Sequence, residues 1–88
     1  MSVRIDPVVV HIRGYDDTVN INKQLHEMTE PYRFSCLALL QDDGAARIQG
    51  LNDTVTIRDF SEIKRKLKLL GAKYLIWRHN SREHRKTL

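Results

Sequence analysis

The chain has 88 residues, 41% of them hydrophobic and 30% charged, with one cysteine and a formal net charge of +4. That length excludes two independent cores, and that composition is the composition of a folded domain, not of a disordered chain. A single cysteine excludes an internal disulfide and a cysteine-based zinc cluster, no apolar run approaches the roughly 20 residues of a membrane span, and residues 1–7 lack the long apolar core of a signal peptide. A soluble protein of a reducing, cytoplasmic compartment is the expectation.

Residues 8–13, Val8-Val9-Val10-His11-Ile12-Arg13, read as the first strand, with Pro7 before it and Gly14 after it. Asp16-Asp17-Thr18 is turn chemistry. A helix is then predicted over about 20–29, where Ile21, Leu25 and Met28 fall on one face, Asn20 can cap and Pro31 forbids continuation. Thr18-Val19-Asn20-Ile21 also alternates as a strand would, so a hairpin with residues 8–13 is the competing reading. Residues 33–40 are the most apolar run of the chain and suit a buried strand. Asp43-Gly44 predicts a tight type I′ turn into a weaker strand, 45–51. Asn52-Asp53 then breaks the chain.

The second predicted helix, about 57–70, has Thr56 and Asp59 at capping-box positions and Val55 and Phe60 at staple positions. Ile57, Phe60, Ile63, Leu67 and Leu70 form its apolar stripe, and Gly71 stands where a left-handed C-terminal residue is wanted. Residues 73–79 read as the last strand, ended by Asn80-Ser81. Residues 81–88 read as a flexible basic tail appended to a single domain of residues 1–80.

The expected fold class is therefore α+β in β-α-β-β-α-β order, a split-βαβ-like antiparallel sheet with two helices packed on one face. That order would put the apolar strand 33–40 at a sheet edge, which hints at a dimer formed along it. RNA-recognition sheets are built on the same order and present aromatics from their first and third strands; here 8–13 and 45–51 hold none.

Charge is polarised along the chain. Residues 1–57 hold 5 Lys+Arg against 8 Asp+Glu, a net −3, while residues 58–88 hold 10 against 3, a net +7. The basic third nominates Arg58, Arg65, Lys68, Trp77, Arg78, Arg82, Arg85 and Lys86 as binding residues, arginines with an interleaved aromatic being suited to a phosphate backbone and its bases.

Catalytic chemistry finds little support. Asp16-Asp17 and Asp42-Asp43 sit in turns without a further ligand at metal spacing. His11, His26, His79 and His84 make no helical pair, although His11 and His79 would approach if the first and last strands were neighbours. Cys36 lies among Phe34, Leu37 and Ala38, the setting of an inert core thiol. The four glycines are too scattered for a phosphate loop. No catalytic, cofactor or metal residue is assigned. The expected function is a small non-catalytic binding module, either a protein-interaction or homodimeric adaptor contacting a protein or itself through an exposed sheet edge, or a DNA- or RNA-binding domain using residues 58–88; no membrane contact is expected.

Overall fold

The computed structural model describes residues 1–51 and 54–88; the chain break expected at Asn52-Asp53 lies outside them. Among the described residues, β1 (Val9–Gly14), β2 (Phe34–Leu40), β3 (Ala45–Gln49), α1 (Ile57–Leu69), β4 (Tyr74–His79) and β5 (Arg82–Thr87) follow in chain order. The strands form one mixed sheet in the order β1-β2-β3-β4-β5. Neighbours are antiparallel except β3 and β4, which run parallel because α1 crosses between them.

The split-βαβ expectation is thus overturned, and two segments account for it. Residues 20–29 hold no α-helix, only a single 3-10 turn at Leu25–Glu27. The Asn20 side chain accepts from the Asn22 N–H at 3.0 Å, closing a local turn that competes with helical bonding. Ile21 and Leu25 remain exposed, so the apolar stripe found no surface to cover, and ten residues alone cannot sustain a helix. The segment instead forms a long link that returns β2 antiparallel to β1. The strand alternative for 18–21 is not formed either.

The second correction lies at the end of the chain. Asn80 and Ser81 both take positive φ, 53° and 63°, the two-residue hairpin geometry that matches strand twist. The residues read as a loose tail therefore fold back as β5, with His79 opposite Arg82 and Tyr74 opposite Thr87. The Leu88 N–H donates to the Lys73 carbonyl at 2.9 Å, and the Leu88 side chain packs against the core. The tight turn expected at Asp43-Gly44 takes another form. There only Gly44 has positive φ, Ala45 N–H donates to the Asp43 carboxylate at 3.0 Å, and Gln41 and Ala45 close a three-residue loop.

These changes place β2 inside the sheet. Its apolar run is explained by paired neighbours on both sides, and the hint of a dimer along 33–40 disappears with the edge that carried it. Phe34, Cys36, Ala38, Ala46, Ile48 and Leu75 face Ile63 and Leu67 of α1 and make the core. Thr56 Oγ accepts the Asp59 N–H at 3.1 Å while Asp59 Oδ2 accepts the Thr56 N–H at 3.0 Å, the reciprocal box expected from the sequence. At the other end Ala72 N–H reaches the Leu67 carbonyl and Gly71, at φ 99°, donates to Lys68, which fixes the end of α1 and aims the chain into β4. Ile57 and Leu70 of the expected stripe stay largely in solvent. Among the described residues no helix is long and apolar enough to cross a membrane.

Candidate functional site

With one helix, the sheet has two unlike faces. Alternation along each strand sends Val10, Ile12, Ile48, Leu75 and Trp77 toward α1. The odd-numbered residues of β1, β2, β3 and β5 and the even-numbered residues of β4 point to the opposite face, which no element of the described residues covers. Leu39, Arg47, Ile76 and Arg85 lie in one row across the strands of this open face. Ile76 is only 8% exposed there, because Arg47 and Arg85 stand on either side of it and their aliphatic stems shield it.

The half of the open face built by β3, β4 and β5 gathers Arg47, Arg78 and Arg85 around one carboxylate. Arg47 Nη1 donates to Glu83 Oε1 at 2.9 Å, and Arg78 is the residue directly opposite Glu83 in the hairpin. The Glu83 carboxyl is held below its ordinary value, first by the Arg47 hydrogen bond and then by the charges of Arg47, Arg78 and Arg85. The Arg85 guanidinium lies 4.0 Å from the centre of the Tyr74 ring, a cation–π contact. The Tyr74 hydroxyl donates to the Asp43 carbonyl at 3.3 Å, which anchors the ring beneath that guanidinium. Three cations facing one carboxylate leave a surplus of positive charge on a flat, solvent-facing surface.

No family model, curated protein or solved structure matches this chain. The site therefore rests on its own geometry.

The residues nominated from the sequence fall in four places. Arg78 and Arg85 are on the open face. Arg82 and Lys86 belong to the other face of β5, where burial first and then the charge of Lys86 hold the Lys64 ammonium below its ordinary value. Arg58 and Arg65 lie on α1 and meet acids of their own: Arg58 faces Asp17 at 3.5 Å and Arg65 faces Glu62 at 2.8 Å; Lys68 sits in the last turn of the helix. Trp77 is half-buried beneath α1, 5.1 Å from the Phe60 ring, and stacks on His84 at 5.4 Å, which places it on the helix side of the sheet and not on the open face. Three participants of the open face escaped the sequence reading. Arg47 belongs to the acidic half of the chain, Arg13 lies on β1 of the same face, and Tyr74 gained its role only once β5 brought Arg85 beside it.

Other chemistry is not assembled. β2 and β3 separate His11 from β4, so His11 and His79 are not brought together; the ring near His79 is that of His84, at 6.3 Å. Cys36 is 4% exposed, and burial pushes its thiol above the ordinary value. A cleft of about 540 Å³ lies between β1 and α1, floored by Val10, Ile12 and Ile63. Its charged rim is internally matched: Arg33 donates to Asp59 at 2.9 Å and also faces Asp16 at 3.6 Å. Asp59 is held below its ordinary value chiefly by that Arg33 bond. The rim thus ties the 15–33 link to α1. Among the described residues no three His, Cys, Asp or Glu side chains converge as a metal site.

Proposed function

We propose that this domain is a non-catalytic binding module whose open sheet face receives an anionic strand, single-stranded nucleic acid in particular. The observation that supports it is the cluster of Arg47, Arg78 and Arg85 around Glu83, with Arg85 laid on Tyr74. Guanidinium groups match phosphate oxygens in a two-pronged geometry, and their planes stack on bases as well as on rings. Glu83 acts as the resident anion of the cluster and keeps Arg47, while an incoming phosphate meets Arg78 and Arg85. A flat sheet suits an unpaired strand better than a duplex groove, since α1 lies against the sheet with Arg58 and Arg65 already facing carboxylates. Fluorescence anisotropy with a labelled single-stranded oligonucleotide, its duplex and heparin tests the reading. Tighter binding of the single strand, weakened in Arg78→Ala and in Arg85→Ala, is expected. Absence of binding at low salt refutes it, and equal binding of all three probes reduces it to attraction between opposite charges.

A second reading concerns protein contact. The free edge of β1 is apolar and backbone-donating, which favours capture of a further strand, so the adaptor role expected from the sequence moves from residues 33–40 to this edge.

A further inference from the structure

The two edges of the sheet are built differently. β5 presents Arg82, Glu83, His84, Arg85 and Lys86, the charged sequence that discourages edge-to-edge pairing. β1 presents Val9, Val10, His11 and Ile12 before its first charge at Arg13. Val8 and Val9 are 60% and 55% exposed, and Val3 and Ile5 just before them are more exposed still. This edge is therefore apolar, extended and unguarded.

Its backbone has a definite polarity. The Leu40 N–H donates to the Val8 carbonyl at 2.7 Å, so the even-numbered residues of β1 turn their peptide groups toward β2. Val9, His11 and Arg13 turn theirs outward, and no backbone partner meets them among the described residues. An antiparallel strand centred on His11 satisfies all three at once.

We infer that the occupant of this edge is a second copy of the chain, paired β1 to β1 about a two-fold axis through His11. In that register Val9 stands opposite Arg13 of the other copy, Val10 opposite Ile12 and His11 opposite its own counterpart, so no two arginines, lysines or carboxylates oppose one another and the apolar pair lies beside both β1–α1 clefts. The equivalent operation at β5, centred on the outward-turned Arg85, sets that guanidinium against its own counterpart and His84 against Lys86. Charge thus selects β1 over β5 as the self-pairing edge. The product is one continuous sheet whose two arginine clusters lie on a common face. The inference rests on the reading of β1 as a contact edge and adds the identity of the partner.

Sedimentation equilibrium of the full chain gives the test. A species of twice 10.3 kDa is expected at micromolar concentration. Val9→Lys places a charge on the edge without emptying the core, and His11→Pro deletes an outward donor while leaving the β1–β2 bonds in place. Each is expected to raise the dissociation constant about tenfold or more, with circular dichroism unchanged. Hydrogen exchange of the unmutated chain supplies a measure independent of any variant: Val9, His11 and Arg13 amides gain protection as concentration rises, and β5 amides do not. A monomer at all concentrations, or a dimer indifferent to both substitutions, overturns the inference. A short alternating valine–threonine peptide separates the two levels. If it protects the β1 amides of a monomeric chain, the edge is a contact site and only self-pairing is wrong; if it does not, both fall.

Discussion

Removing the carboxylate from the arginine cluster should strengthen strand binding, the opposite of what loss of a surface ion pair usually suggests. Glu83 holds Arg47 at 2.9 Å, so the unmutated face offers a phosphate Arg78 and Arg85, the latter laid on the Tyr74 ring. Each phosphate neutralised on a single strand contributes about −0.7 to the slope of log affinity against log salt. The unmutated chain should then show a slope of about −1.4, Glu83→Gln about −2.1 with Arg47 released, and Arg78→Ala about −0.7. Between 50 and 200 mM salt those slopes correspond to losses of about 7-fold, 18-fold and 2.6-fold. Anisotropy titrations over that salt range measure all three. Arg58→Ala and Arg65→Ala, on the helix side, serve as comparison and should leave the slope unchanged. Equal slopes for Glu83→Gln and the unmutated chain, or a slope flattened as much by Arg58→Ala as by Arg78→Ala, would refute the assignment of the open face.

Three further outcomes concern the scaffold. Asp59→Ala removes a cap acceptor and the Arg33 bond together and should cost about 1–2 kcal/mol in urea denaturation at pH 7. Because the folded state holds the Asp59 carboxyl below its ordinary 3.8, that stabilisation is complete above this value and is lost as pH falls through the lowered folded value; a gap between variant and unmutated chain that stays constant from pH 7 down to strong acid would contradict it. Gly14→Ala should lower stability by about 1–3 kcal/mol, since its Cβ falls within the volume of the buried Phe34 ring, and an unchanged melting temperature would show that the ring has room to move. Ser81→Gly should stabilise by roughly 0.5–1 kcal/mol by relieving a left-handed serine in the β4–β5 turn, seen as a higher urea midpoint.

The extent to which the fold was readable follows from where its driving forces lie. Strands at 8–13, 33–40, 45–51 and 73–79 and the helix after Thr56 announce themselves because apolar periodicity and capping are local properties. Residues 20–29 misled because a stripe of Ile21, Leu25 and Met28 is necessary for a surface helix but not sufficient; it needs a core to lie on, and here the link runs around the rim instead. β5 escaped for the converse reason. Arg82–Thr87 has no hydrophobic alternation, and what holds it is pairing to β4 together with contacts such as Arg85 on Tyr74 and Trp77 on His84, partners that local pattern does not name. The candidate site was half legible for the same reason. A basic C-terminal third is visible in any charge count, but which arginines share a surface depends on strand order and parity. Arg47 joins Arg78 and Arg85 because β3 and β4 run side by side, while Arg58 and Arg65, equally prominent in sequence, meet carboxylates at home.

Every fixed cation placed on the open face by strand alternation is an arginine; the lysines of α1 and β5 lie on the helix side of the sheet. Lysine-directed chemistry, acetylation above all, therefore leaves the charge of that surface untouched, and no proton equilibrium in the physiological range can discharge a guanidinium. Its electrostatic state is permanent. What remains adjustable is the counter-charge: the ionic strength outside, and the single carboxylate of Glu83 within.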